Sequence, residues 1–259
     1  MSVLNALGRS WVLLTLVFLY LPIGVMAAMS FNASPFYRLP IEPSGAWYVA
    51  LAQNEALLAA AWNSIWIALV TTLLATLLGT AAALGLFRFA FRGKRVFQVL
   101  LFPPIAIPWL ITGTAMLVFF FFIGIERGSP AVILGHVALA IPYVVIVVSA
   151  RLAGFDPALE EAARSLGASA WQVTRHITLP FIAPAVIAGA LFAFAVSFDQ
   201  FVISYFLAEP GEVTLPVEIY SAIRKGFTPE INAISTIVIG VSMALMLIVA
   251  RLARFGDLR

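Results

Sequence analysis

Asp156-Pro157-Ala158-Leu159-Glu160-Glu161-Ala162-Ala163-Arg164-Ser165-Leu166-Gly167-Ala168-Ser169-Ala170-Trp171, running on to Ile177-Thr178-Leu179-Pro180, is a hydrophilic stretch stranded between two long apolar runs. Asp156 suits a helix N-cap and Pro157 the first helical position. Leu159, Ala162, Ala163 and Leu166 then recur at helical spacing, which predicts a short helix with one apolar face. Gly167 stops it, as a residue free to turn left-handed should. A second short helix is expected from about Ser169, and Pro180 is expected to open the next apolar segment. A compact helix–Gly–helix between two apolar runs suggests a docking element; the plainer alternative is an amphipathic surface helix.

Working outward, the whole chain is apolar. It is 63% hydrophobic and 10% charged, with a mean hydropathy of +1.05, where a soluble domain carries about 25% charged residues. Runs of roughly 20 apolar residues mark membrane helices. Six are read, at 11–29, 61–87, 96–123, 131–150, 181–207 and 233–252, as one membrane domain over 1–259 with a loop at 152–180. The first run is longer than a signal-peptide core and is expected to be retained. With no cysteine and two histidines, a metal site is not expected.

Charge orients the segments. With the Glu161 loop and both termini inside, the inner side holds eleven basic residues, Arg9, Arg88, Arg92, Lys94, Arg95, Arg151, Arg164, Arg175, Arg251, Arg254 and Arg259. The outer side holds four: Arg38, Arg127, Arg224 and Lys225. That excess follows the positive-inside rule. The net charge of +3 then reflects topology; no basic face on a soluble domain points to nucleic acid.

Several residues inside the spans stand out. Pro103, Pro104 and Pro108 must kink the third, giving a static bend or a flexible gate. His136 in the fourth is expensive unless hydrogen-bonded, and is read as a satisfied polar contact at an outer helix end. Asn63 and Ser64 can bond a neighbouring helix, and Gly79 and Gly85 permit close approach. A short helix is expected over 46–60. In the fifth span, Ser197-Phe198-Asp199-Gln200 holds the one acid well inside a span. On a continuous helix, Phe192 and Phe206 lie seven residues either side of Asp199 and nearly on its face. An acid between aromatic rings suits an organic ammonium ion; a structural carboxylate bonded to a neighbouring helix is the equal alternative.

Glu161-Ala162-Ala163, Gly167, Ile177, Leu179 and Pro180 meet every fixed position of the E-A-A, three residues, G, nine residues, I, one residue, L-P pattern. The chain thereby resembles the permease subunits of ATP-binding-cassette importers. Stretches at 136–145, 151–156, 197–199 and 215–233 are further similar to the polyamine branch, the spermidine/putrescine permease C type. Relatives there often carry a second acid where this chain has Gln200, which weakens the inference to a multiply charged solute. Amino-acid derivatives, opines, phosphonates or ferric iron are the alternatives.

The resemblance implies an all-α, six-span, type I importer permease (MetI-like) with both termini cytoplasmic, in the bacterial inner membrane. It implies that the loop around Glu160 and Glu161 docks into a groove of a cytoplasmic ATPase. Expected partners are a second permease chain, two ATPase copies, an outer solute-binding protein and the bilayer. ATP and Mg would sit on the ATPase, with no cofactor here, since the chain has no P-loop G-x-x-x-x-G-K-[ST]. No catalytic constellation is present, so an enzyme is not expected. A secondary transporter would usually show internal repeats, and none is seen.

Overall fold

In a bilayer every backbone N–H and C=O needs an internal partner, and a chain this apolar meets that demand with helices. The computed structural model describes residues 2–36, 38–226 and 228–256, with side chains over 7–36, 38–226 and 228–244. Apart from one isolated bridge between Asn32 and Pro43, its regular elements among the described residues are helical. They fall into two compact units, 1–58 with 219–259, and 59–218.

In the first unit, α1 (Ser2–Met29) and α2 (Ala46–Gln53) both pack on α13 (Glu230–Gly256). The side chains of α1 from Leu7 to Gly24 are exposed. Asn32 organises the segment after α1: its side chain donates to the Arg38 carbonyl (2.9 Å) and accepts from the Glu42 N–H (3.1 Å), while its own carbonyl accepts from Trp47 Nε1 (2.7 Å). The helix expected over 46–60 is split. Asn54 leaves the helix (φ −86°, ψ 89°) and its side chain caps the Leu57 N–H of α3 (Glu55–Arg88). A cap-forming side chain outcompetes continuation of the helix there.

In the second unit α3 continues, followed by α4 (Lys94–Leu100), α5 (Pro103–Ala106), α6 (Trp109–Phe122), α7 (Ser129–Leu152), α8 (Ala158–Ser165), α9 (Ala170–Val173), a π turn (Thr174–Thr178), α10 (Leu179–Phe198), α11 (Phe201–Leu207) and the first turn of α12 (Leu215–Lys225), the rest of which belongs to the first unit. The centre is α7, which packs on α10, α6 and α11. Val144 is its pivot: a Cβ on Gly79 would lie 2.7 Å from the Val144 Cβ. Close helix approach therefore uses Gly79, as expected, whereas Gly85 faces open space. Asn63 and Ser64 of α3 do bond outward, Asn63 Nδ2 donating to the Val213 carbonyl (3.2 Å) and Ser64 Oγ accepting from the Leu215 N–H (2.8 Å).

Among the described residues, four helices are long and apolar enough to cross a membrane: Leu7–Met29, Glu55–Arg88, Ser129–Leu152 and Ala170–Phe198. They contain the predicted segments 11–29, 61–87 and 131–150, and most of 181–207. Two predicted spans are not continuous. The segment 96–123 bends by 109° between Lys94–Ala106 and Trp109–Phe122. Pro108 forces Ile107 into extended backbone (ψ 133°), because a proline excludes the helical conformation from its predecessor. The segment 181–207 breaks between α10 and α11. The predicted 233–252 falls in α13, whose side chains are described to residue 244.

Candidate functional site: a projecting loop and a broken span

The loop between α7 and α10 is built from caps. Asp156 Oδ1 accepts the Ala158 N–H (2.9 Å), and Pro157 already has helical dihedrals. Gly167 is left-handed, with φ +90°. The Ala168 N–H reaches the Ala163 carbonyl (3.1 Å) and the Gly167 N–H the Arg164 carbonyl (2.9 Å), which is the Schellman pattern. Ser169 and Gln172 then form a reciprocal capping box at 3.3 and 2.7 Å. Pro180 stands in the first turn of α10, as expected, and the helix is continuous from Ala170 through the π turn into it. A π turn resets backbone pairing just before Pro180, which has no N–H to give.

The loop presents an apolar face to the outside. Leu166 is 90% exposed, and Leu159 and Trp171 are also exposed. Glu161 and Ala162 are exposed beside them, and Ala163 is half-buried. Ala163, Gly167, Gln172, His176 and Ile177 line a cleft of about 410 Å³. Leu179 instead packs into the core, and Pro180 is exposed.

Glu160 differs from its neighbour Glu161. Its side chain, 12% exposed, turns inward onto the end of α3. Glu160 Oε1 accepts from Arg88 Nη2 at 2.7 Å and from the Thr178 hydroxyl at 2.6 Å. Arg88 also donates to Thr178 Oγ1 and Thr174 Oγ1, both at 2.9 Å, and Arg164 Nη2 reaches Glu160 Oε2 at 3.3 Å. Burial alone pushes the Glu160 carboxyl up; the Thr178 and Arg88 hydrogen bonds and the charges of Arg88 and Arg164 outweigh it and hold it below the usual range. At the root of α10, Arg151 donates to the Phe181 carbonyl (3.1 Å) and lies 4.2 Å over the Phe181 ring.

The second candidate region is the break after Phe198. Asp199 closes α10, Gln200 turns extended (ψ 100°), and Gln200 Oε1 accepts the Val202 N–H (3.1 Å) to start α11. The break parts Phe206 from the other two: Phe192 and Asp199 stay with α10, seven residues apart, while the relation expected between Asp199 and Phe206 is lost. Phe206 packs against Gly113 of α6, while Phe192 and Asp199 are exposed. Ser197 and Gln200 are buried, and Gln200 Nε2 has no hydrogen-bond partner.

His136, fully buried in α7, spans this break. Its Nδ1 lies 2.8 Å from Ser197 Oγ on α10, and its Nε2 3.1 Å from Ser204 Oγ on α11. Ser204 commits its proton to the Gln200 carbonyl (2.9 Å). Nε2 therefore donates to Ser204, and Nδ1 accepts from Ser197: a neutral ring satisfies every partner. The expected satisfied contact is present, but it lies two turns into α7. Pro103, Pro104 and Pro108 lie at the separate break between α4 and α6.

Sequence reasoning treated Arg88 as a topological anchor and passed over Thr174, Thr178 and Ser204. A charge in the last turn of an apolar helix was the one available signal for Arg88, and its partner lies 72 residues away.

A sequence profile described as "Binding-protein-dependent transport system inner membrane component" matches residues 75–259. The chain is 37% identical over 240 residues to the spermidine/putrescine transport system permease protein PotC of Escherichia coli (strain K12), covering 92% of this chain and 90% of that one. It is 39% identical over 235 residues to the putrescine transport system permease protein PotI of the same strain, covering 88% and 84%. Among solved structures, a chain of a bacterial alginate ABC transporter in complex with alginate pentasaccharide-bound periplasmic protein superposes with a TM-score of 0.73 at 21% identity, covering 97% of this chain and 94% of that chain.

Proposed function

The chain belongs to the binding-protein-dependent transport system inner membrane component family, and we propose that it forms half of the pathway of an ATP-driven polyamine importer. It is a transport subunit rather than an enzyme. Identity of 37% over 92% of the chain to a spermidine/putrescine permease carries the reading. In it the chain crosses the inner membrane six times with both termini cytoplasmic, as its basic residues favour. A second permease chain completes the path, two ATPase copies bind ATP and Mg, and a periplasmic protein delivers solute.

Coupling falls to the loop of Glu160, Glu161, Ala162, Ala163, Gly167, Ile177, Leu179 and Pro180. ATP closes the ATPase pair, the two permease loops are drawn together, and the path opens outward. The exposed apolar face of Leu159, Leu166 and Trp171 gives the ATPase something to hold. Ser197, Asp199 and Gln200, with Phe192 and Phe206 nearby, are the path residues of this reading, and the bend at Pro103, Pro104 and Pro108 is its gate. Asp199 attracts a cationic solute crossing a low-dielectric zone. One observation favours a second reading, another small charged solute: Gln200 offers an unpaired amide where a second carboxylate would serve a polyamine better.

The test is reconstitution of the chain with its second permease, ATPase and binding protein in vesicles. ATP-dependent uptake of labelled spermidine or putrescine, requiring the binding protein, is expected. Failure with both, alongside uptake of an amino-acid derivative or a phosphonate, would overturn the polyamine assignment.

A further inference from the structure

The projecting helix α8 has no buried residue of its own. Apolar packing therefore does not fix it, and the turns at both its ends, 153–157 and 166–169, could act as hinges. A helix that receives a push from another protein and hinges at both ends would dissipate it. What fixes α8 is the polar ring of Arg88, Glu160 and Thr178. The three close on one another at 2.6–2.9 Å, with Thr174 adding a further 2.9 Å bond to the same guanidinium.

The ring joins three elements: the end of α3, the projecting helix, and the π turn at the root of α10. A planar guanidinium can bond all three partners at once, and its bond to the carboxylate is charge-assisted. The π turn carries both hydroxyls, Thr174 and Thr178, to one side of the helix, where Arg88 reaches them. Arg88 is 26% exposed, so water reaches the ring's edge and the pair is not a deeply desolvated one.

We propose that Arg88 is a positioning residue for energy coupling: it makes the loop, α3 and the start of α10 one mechanical body. Motion delivered to the loop then moves both helices together instead of folding the loop on its hinges. This rests on the importer reading above. It assigns a role to a basic residue that topology alone would explain as an inside marker.

The test uses the assembled complex with Arg88→Gln, Arg88→Lys and Thr178→Val. Complex yield, solute-stimulated ATP hydrolysis and solute moved per ATP are measured for each. Arg88→Gln is expected to lower solute per ATP about tenfold, a usual size for a coupling between sites, with yield and hydrolysis retained. Arg88→Lys is expected to fall between, because an ammonium cannot span three partners. Solute per ATP unchanged in Arg88→Gln would overturn the proposal.

Should Arg88→Gln not assemble, Thr178→Val decides. It removes one hydroxyl of the ring, and a lowered ratio supports the proposal while an unchanged ratio refutes it. Spin labels at Phe89→Cys and Leu166→Cys give a reading free of transport. A narrow distance distribution in the unaltered ring, broadened by Thr178→Val, is expected; no broadening contradicts the proposal. An unaltered complex lacking solute-stimulated hydrolysis would instead indict the importer reading.

Discussion

Two polar clusters tie this molecule's interrupted helices together, and they use opposite chemistry. At the loop, Arg88 and Glu160 carry formal charges and bond at 2.7 Å. At the break after Phe198, His136 joins Ser197 and Ser204 with a neutral ring and two hydroxyls. The surroundings decide which is tolerable. Glu160 and Arg88 are partly exposed, so their charges stay solvated while their hydrogen bonds gain strength. His136 is 1% exposed inside an apolar core, where a formal charge would be expensive and a satisfied neutral network is not. Charge holds the partly exposed loop; neutral bonds hold the buried break.

The harshest way to break the loop side is Gly167→Val. A β-branched residue at φ +90° is strained whatever space surrounds it. The Schellman turn should be lost, and with it ATPase retention. Subunit stoichiometry of the purified complex checks this, and full ATPase content would contradict it.

On the break side, Asp199→Asn keeps shape and removes the exposed charge. Uptake of a polyamine should fall about tenfold, the scale of one charge contact, with complex yield near normal. Phe192→Leu should cost less, since cation–π contacts contribute about 0.5–2 kcal/mol. Undiminished uptake by Asp199→Asn would favour a neutral or anionic solute.

His136→Leu sharpens the comparison through stability. It leaves the Ser197 hydroxyl without an acceptor and deprives Ser204 of a donor, at about 1–3 kcal/mol for an orphaned buried group. A loss of about 2 kcal/mol corresponds to a fall of roughly 4–8 °C in melting temperature. An unchanged melting temperature would show that the break holds itself.

The smallest expected effect is a pH response. The folded Glu160 carboxyl titrates below its ordinary 4.5. Its contribution is therefore complete above that value and is lost as pH falls through the lower folded pKa. Thermal melts from pH 6 down to about pH 3 should show a shallower loss for Glu160→Gln than for the unaltered chain, while His136→Leu should leave that slope alone.

How much of this was legible depended on range. Asp156, Gly167 and Ser169 act on residues within five positions of themselves, so their caps could be read from spacing. Pro108 likewise announced a bend, because its ring constrains Ile107 directly, though not that the bend reaches 109°. The break at Asp199 was hidden within an apolar run: hydropathy is blind to Gln200 capping a new helix with its own side chain. The Arg88 ring depends on partners 72 to 90 residues distant, and no local pattern encodes that meeting. The π turn left no composition signal at all.

Coupling as proposed requires the loop to be the cytoplasmic surface that receives the ATPase. The chain has no cysteine, so Leu166→Cys, 90% exposed at the loop's tip, can be probed with an impermeant maleimide against a clean background. No labelling is expected in intact cells, labelling is expected in inverted vesicles stripped of ATPase, and protection is expected once the ATPase is returned. Labelling in intact cells, or no protection by the ATPase, would contradict it.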